Sequence, residues 1–149
     1  MSAIRHSIDV DRTPADVFAY ITDPSHLPEW QLSAVKAEPL EEGPVHPGSQ
    51  VKVTRRIGNR EIPMMIEFDD VDPPRTWDLH GVGGPVRPRT HGSIEPLDEG
   101  RRSRVTIEID FEGHGLGRAL VPLVVRPQVR KELPRDEALL KERLEGTTA

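Results

Sequence analysis

The stretch IDVDRTPADVFAYITDP, residues 8–24, contains the end of a strand, the start of a helix and the end of that helix. Thr13 is a good helix N-cap, Pro14 suits the first helical position, and Asp16 can close a capping box less well than Glu. Apolar residues then follow at helical spacing, at Val17, Phe18 and Ile21. The Asp-Pro pair at 23–24 ends the helix and favours a second short one that ends near residue 30.

The segments on either side of this stretch predict an antiparallel sheet. Before it, residues 3–10 alternate, with Ile4, His6, Ile8 and Val10 on one face, which is typical of a half-buried strand. After it, residues 33–111 alternate almost throughout and are broken by turn signals. The predicted turns lie at 57–60, 72–75, 83–85 and 98–100. The clearest amphipathic strand has Val105, Ile107, Ile109 and Phe111 on one face.

The hydrophobic period becomes helical after the glycine-rich turn at 113–117 and stays so to about residue 145. We therefore predict a long C-terminal helix with Leu116, Leu120, Leu123, Val124 and Leu133 as apolar positions. Pro122 and Pro127 each remove a backbone donor, so the helix is expected to start late or to be kinked. Pro134 is expected to open a final turn and helix.

Composition limits the class of protein. The 149 residues fit one domain, 1–149, and 15 of them are proline, about double the usual share. The absence of Cys excludes disulfides and thiol nucleophiles and fits a cytoplasmic protein. A net charge of -5 argues against nucleic-acid binding. The sequence has no secretory signal and no apolar run approaching the roughly 18 residues of a membrane span.

The order of elements and several specific segments resemble the Bet v 1-like helix-grip superfamily, also called START-like or SRPBCC. The similarity is greatest to its bacterial polyketide cyclase/dehydrase-type members. The matching segments are residues 8–10, 13–18, 21–24, 27–30 and 71–75, together with the pairs 133–134, 140–141 and 144–145. The resemblance implies an α+β helix-grip fold, in which a curved antiparallel sheet of about seven strands wraps a long C-terminal helix. Two short helices would follow the first strand, and a cavity would lie between sheet and helix.

In such a fold the inward face of each strand would form the cavity wall. The candidate ligand-binding residues are Trp30, Val53, Ile62, Met64, Ile66, Trp77, Leu79, Ile107, Ile109, Phe111, Leu120 and Val124. Ile8 and Ile94 would extend the wall, and Leu116 and Leu123 would extend the roof. Each of these residues is also compatible with a plain core position, since large apolar side chains are usually buried. Trp30 is either a lid that stacks on the ligand or a packed anchor.

Candidates for acid/base or anion-binding chemistry are few. His6 shares a strand face with Ile4 and Ile8, whereas His80 is out of phase with the apolar residues beside it. Arg55 shares the register of Val51 and Val53, so it could bind an oxyanion or enolate, but an exposed strand arginine is favoured. No histidines have metal-ligand spacing, and the acidic run 69–72 is expected to be solvated. We therefore predict no metal site and no cofactor.

Three functions follow from these observations. The preferred one is binding of a small hydrophobic molecule, lipid-like, aromatic or polyketide-like, by a monomer or homodimer. The alternative is a polyketide cyclase or dehydratase that uses His6, Arg55 or His80 as acid/base residues within the cavity. The third, an interaction protein, would need a large exposed apolar patch, and the sequence shows no clear one.

Overall fold

A computed structural model describes residues 3–146 and contains one curled sheet, short helices and a long C-terminal helix. The strands are β1 (Ile4–Val10), β2 (Ala34–Pro39), β3 (Gln50–Ile57), β4 (Arg60–Asp72), β5 (Thr76–Val82), β6 (Val86–Leu97) and β7 (Arg102–Gly113). The helices are α1 (Pro14–Ile21), a 3-10 turn (Pro24–His26), α2 (Leu27–Trp30), α3 (Gly117–Leu120), a π-helical segment (Val121–Val125) and α4 (Arg126–Gly146). The predicted single domain 1–149 includes five terminal residues outside the described range.

The sheet has the strand order β1-β7-β6-β5-β4-β3-β2, and every neighbouring pair is antiparallel. Strands β2 to β7 form a meander, and β1 closes the order by pairing with β7. Register shifts occur between Ala34 and Lys36 and between Phe68 and Val71. Because such bulges bend and twist a strand, they help to curl the sheet into a half-barrel. The turns predicted at 57–60, 72–75, 83–85 and 98–100 all join strands.

The capping signals in residues 8–24 act as expected. Thr13 is the N-cap of α1, and its Oγ1 accepts a hydrogen bond of 3.3 Å from the Asp16 backbone N–H. Asp23 caps the following 3-10 turn by accepting from the Ser25 N–H at 3.0 Å. These two short helical elements and α2 lie between β1 and β2, as predicted.

The C-terminal helical region is continuous from 117 to 146 but changes its hydrogen-bond pattern at the prolines. The Arg126 N–H donates to the Val121 carbonyl, an i→i−5 bond of the π type. Pro127 cannot donate an i→i−4 bond, and the π turn falls just before it. The predicted irregularity is therefore present, although the helix does not start late. The prediction that Pro134 opens a separate helix is wrong, because this residue lies inside α4 with its ring exposed.

The core forms where α1, α2 and α4 cover the concave face of the sheet. Trp77 on β5 is buried and lies opposite Gly92 on β6, where any side chain would collide with the indole. Phe18 of α1 meets the Trp77 ring edge to face, with centroids 6.0 Å apart. A second, smaller cluster of Val86, Val121 and Val125 lies at one end of the sheet. The α+β helix-grip fold predicted from the sequence is confirmed.

Candidate functional site

A cavity lies between the concave face of the sheet and the C-terminal helix, with a volume of about 110 Å³. An engineered cavity of about 150 Å³ holds benzene, so a space of this size suits a molecule built on a single ring. The apolar part of the wall comes mainly from the sheet strands β4, β5 and β7. It includes Met64, Ile66, Phe68, Trp77, Leu79, Ile107, Ile109 and Phe111.

The structure brings eight of the twelve candidate ligand-binding residues to this wall. They are Trp30, Met64, Ile66, Trp77, Leu79, Ile107, Ile109 and Phe111. The other four lie elsewhere. Val53 is fully buried in the main core, and Ile62 packs partly buried against that core. Leu120 packs on the smaller cluster, and Val124 lies over Gly58.

The leucines at the start of the helix, expected to form the roof of the cavity, do not lie over it. Leu116 and Leu123 are 83% and 75% exposed, so neither covers the cavity. The inward positions of this segment are Gly117, Val121 and Val125, spaced four residues apart. This spacing turns the leucines to the opposite side. Neither Ile8, which is half-buried, nor Ile94, which is in the core, lines the cavity.

Arg55 faces the cavity, which corrects the preferred sequence interpretation of an exposed strand arginine. It is the third residue on the inward face of β3 after Val51 and Val53, and its Nη1 donates to Ser33 Oγ at 3.0 Å. Burial lowers the pKa of the guanidinium, while Asp136 and Glu132 on α4 act in the opposite direction. Since an arginine stays protonated in proteins, the cavity wall carries a fixed positive charge.

Two carboxyl groups of α4 complete the polar side of the cavity. Burial raises the pKa of Asp136 to about 6, and repulsion from Glu132 adds to this. The Leu32 backbone N–H, 2.8 Å from Asp136 Oδ1, and the Arg55 charge both oppose the rise. Burial also raises the pKa of Glu132. A group that titrates near 6 in an enclosed site can hold or release a proton at neutral pH.

Two buried polar atoms of the cavity-lining residues have no hydrogen-bond partner among residues 3–146: Trp30 Nε1, a donor, and Gln31 Oε1, an acceptor. Trp30 is only 3% exposed, so this donor is shielded from bulk water. Buried polar atoms are normally paired, and an orphan in a cavity wall is available to a bound molecule. The residues around the cavity therefore include a cation, a donor without a partner and an acceptor without a partner, beside a mostly apolar surface.

His6 does not reach the cavity. It lies beneath α4, where its Nδ1 is 2.7 Å from Glu137 Oε2. Glu137 is fully buried, and burial together with the nearby Asp136 raises its pKa to about 9. The protonated carboxyl group can donate to His6 Nδ1, so this pair is a partly buried polar contact between helix and sheet.

His80 lies on the convex face of the sheet, where its Nδ1 is 2.8 Å from Asp69 Oδ2. Glu67 joins them, and one potential ligand atom from each lies within 4.8 Å of the others. This group is partly exposed and separated from the cavity by the sheet. Exposed acidic groups of this kind are common without an ion, and we assign no metal to it.

Sequence reasoning named none of Glu132, Asp136 and Glu137 as a candidate site residue. A signal was present in the spacing. Leu133, Glu137, Leu140 and Leu144 follow one another at intervals of four, three and four. That spacing defines one helix face, so a carboxyl group at 137 had to lie on the buried stripe of α4.

Comparisons with known proteins agree with the fold. The family model for polyketide cyclase/dehydrase and lipid transport proteins matches residues 1–145. No curated protein sequence matches the chain. Among solved structures, the protein TTHA0849 from Thermus thermophilus superposes with a TM-score of 0.79 at 16% identity, covering 99% of each chain.

Two further solved structures show the same fold. A START superfamily protein from Mycobacterium smegmatis has a TM-score of 0.77 at 15% identity, covering 99% of this chain and 100% of that one. The Zhui aromatase/cyclase from Streptomyces sp. R1128 has a TM-score of 0.72 at 17% identity, covering 97% and 91%. At such identities the similarity shows the fold alone.

Proposed function

The chain belongs to the polyketide cyclase/dehydrase and lipid transport family, and on that premise we propose that its cavity binds a small hydrophobic molecule with one polar end. The observation that carries the proposal is Arg55, a fixed cation that lies with Asp136 and Glu132 on the polar side of a mostly apolar cavity. An apolar body would pack on the sheet side, against Trp77, Leu79 and Ile109. A carbonyl, phenol or carboxylate would face Arg55 and the Trp30 donor.

This proposal is tested with two probes that share one apolar body, 4-butylbenzoate and butylbenzene. Trp30 and Trp77 line the cavity, so their fluorescence reports occupancy, and calorimetry gives the affinity. We expect the carboxylate to bind at least tenfold more tightly, because a buried charge pair exceeds a neutral contact. Arg55→Leu should abolish the preference, while Arg56→Leu, the exposed neighbouring arginine, should keep it.

The outcomes separate the two parts of the proposal. If neither probe binds at concentrations up to its solubility limit, the cavity is not a binding site for molecules of this size. If both bind with equal affinity, the cavity binds apolar molecules but Arg55 does not select a polar end.

Acid/base catalysis in the same cavity is a second candidate, favoured by Asp136, whose pKa is near 6 and which interacts electrostatically with Arg55. In the dehydration of a β-hydroxy ketone, the Asp136 carboxylate would take the proton from the carbon beside the carbonyl. Arg55 would bind the resulting enolate oxygen. The C–O bond to the hydroxyl group then breaks, and the protonated Asp136 returns its proton to the departing hydroxyl, which leaves as water.

The catalytic candidate is tested with 4-hydroxy-4-phenylbutan-2-one, whose dehydration gives a conjugated ketone that absorbs strongly in the ultraviolet. The rate should rise with pH through an apparent pKa near 6, where Asp136 becomes ionised. Asp136→Asn should lower the dehydration rate at least a hundredfold. Asp70 is an exposed carboxylate of β4, and Asp70→Asn should leave the rate unchanged. A rate equal to that of buffer would leave binding as the function.

A further inference from the structure

Three segments meet at one end of the sheet and form what we call the tip surface: residues 56–61, 82–89 and 112–131. The His114 N–H donates to the Pro85 carbonyl at 2.9 Å, joining the start of the helix to the β5–β6 loop. The Gln128 side chain joins the helix to the β3–β4 turn, accepting from the Gly58 N–H at 3.0 Å and donating to the Arg56 carbonyl at 2.9 Å. The segments therefore form one connected surface.

The tip surface exposes large apolar side chains. Leu116 and Leu123 are the two most exposed large hydrophobic residues among residues 3–146, at 83% and 75%. Val82, at the end of β5, is 40% exposed. Residues 119–125 are apolar without interruption, yet Ala119, Pro122 and Leu123 face solvent. A helical segment that is apolar on every side is normally buried, so this one lacks a covering partner.

The tip surface is also basic, on a protein whose net charge is -5. Between Glu112 and Glu132 the chain has four basic residues and no acidic one. Arg126 is buried and bonded to Asp110, so it is left aside. The surface then carries seven basic side chains against two acidic ones, a net charge of +5 that leaves -10 for the rest of the chain. The seven are Arg56, Arg60, Arg87, Arg89, Arg118, Arg130 and Lys131.

Exposed leucines flanked by basic side chains have the chemistry of a segment that lies in the interface of an anionic bilayer. A second copy of the chain is disfavoured, because a two-fold interface would bring two surfaces of net charge +5 together. An acidic protein would match the charge, but side chains as exposed as Leu116 protrude and do not line a groove that a protein segment could enter.

The position of the cavity gives a further reason to favour a bilayer. Val86 and Val125 belong to the cluster beneath the tip surface and also line the cavity. This cluster therefore places part of the cavity wall on the path from the cavity to the tip surface. A hydrophobic molecule could pass between bilayer and cavity along this path. This last point rests on the proposed function, whereas the exposure and the charge do not.

We propose that the tip surface docks on bilayers that contain anionic lipids, with Leu116 and Leu123 entering the interface and Arg118 and Arg130 contacting lipid phosphates. The docking is peripheral: within residues 3–146 no helix combines the length and apolarity needed to cross a membrane. The docking requires no ligand in the cavity, so it can be tested on the full chain alone.

The experiment is sedimentation of the chain with vesicles of phosphatidylcholine alone or with 30 mol% phosphatidylglycerol. We expect binding to the anionic vesicles only, weakening as salt is raised. The double variant Leu116→Ser/Leu123→Ser should bind at least tenfold more weakly, because two apolar side chains no longer enter the interface. The affinity of Arg118→Ala/Arg130→Ala for anionic vesicles should fall roughly 25-fold, because each basic side chain contributes about 1 kcal/mol to binding at a charged membrane.

Matched control variants change the same residue types elsewhere. Leu32→Ser/Leu40→Ser removes two leucines that are 53% and 58% exposed, and Arg75→Ala/Arg101→Ala removes two exposed arginines. Both controls should bind as the parent does. The proposal is overturned if the parent binds neutral and anionic vesicles equally, or if the control variants lose as much vesicle affinity as the test variants. It is also overturned if the parent is a dimer that Leu116→Ser/Leu123→Ser dissociates. Binding to polyglutamate but not to vesicles would assign the surface to an acidic protein and overturn it too.

Failure of this proposal and failure of the proposed function are distinguishable. Vesicle binding with no binding of 4-butylbenzoate would leave a docking surface on a protein with another cargo. The reverse result would leave a ligand-binding protein that does not use membranes.

Discussion

Glu137 is a carboxyl group with no exposed surface, set between Leu133 and Leu140 on the apolar stripe of α4. Its Oε2 contacts His6, and its Oε1 has no hydrogen-bond partner among the described residues. Ionising such a group costs more than keeping the proton, which is why its pKa rises to about 9. In the unfolded chain the same group titrates near 4.5.

The sign of the pH dependence follows from these two values. Because the folded pKa is raised, the folded state keeps a proton that the unfolded state loses above pH 4.5. The free energy of unfolding should therefore fall by about 1.4 kcal/mol for each pH unit between 5 and 9 on account of Glu137. Glu137→Gln should remove this slope and should be more stable than the parent at pH 8 but not at pH 4.

Urea unfolding across this pH range measures the slopes. Glu142→Gln, an exposed glutamate of the same helix, is the matched control and should leave the profile unchanged. Parallel profiles for Glu137→Gln and the parent would show that the buried carboxyl group ionises in the folded state.

At the scale of single residues, the sequence predicted apolar positions better than polar ones. Alternation placed Trp77, Ile107 and Ile109 on the inward face, because burying their apolar area strongly favours an inward position over an exposed one. Arg55 has the same register, but its charge favoured an exposed position, and only the fold shows that Ser33 and the α4 carboxyl groups accompany it. Partners that are distant in sequence cannot be read from the alternation of polar and apolar residues within one strand.

At the scale of elements, the prolines at predicted helix starts and turns marked those boundaries correctly, whereas Pro134 did not. Pro14, Pro24 and Pro73 lie where the chain starts a helix or turns. Pro134 lies inside α4, because packing of Leu133 and Leu140 holds the helix on both sides of it. Tertiary packing thus outweighs the local cost of an interior proline, which is about 3 kcal/mol.

Replacing this proline should therefore stabilise the helix. Pro134→Ala restores a backbone donor for the Arg130 carbonyl at an exposed site, and we expect the free energy of unfolding to rise by about 2 kcal/mol. This figure allows for the greater entropy that alanine gives the unfolded chain. Pro96→Ala, at an exposed position of β6, is the control and should give no gain. A loss of stability in Pro134→Ala would mean that α4 depends on a local distortion at this residue.

At the scale of the whole molecule, the cavity results from how the helix meets the sheet. α4 packs closely on β1 at one edge, and α2 also contacts it. The middle strands curve away beneath the helix, and the cavity occupies the space between them. The sequence of elements and the antiparallel sheet of about seven strands could be predicted from the sequence and its family resemblance. The size of the gap could not, because it depends on the curl of the whole sheet and not on any one segment.

If this gap is the binding site, filling it from within should replace the ligand. Leu79 lines the cavity from β5 and is only partly buried, so Leu79→Trp places the larger indole in the open space. We expect this variant to fold with a stability within about 1.5 kcal/mol of the parent, because the space already exists. At a 4-butylbenzoate concentration 100 times its Kd, the free energy of unfolding of the parent should rise by about 2.7 kcal/mol, whereas that of Leu79→Trp should not change. Leu40→Trp, at an exposed site outside the cavity, should keep the full gain. Equal stabilisation of all three chains would place the bound molecule outside the cavity, because an indole at residue 79 obstructs only the space between helix and sheet.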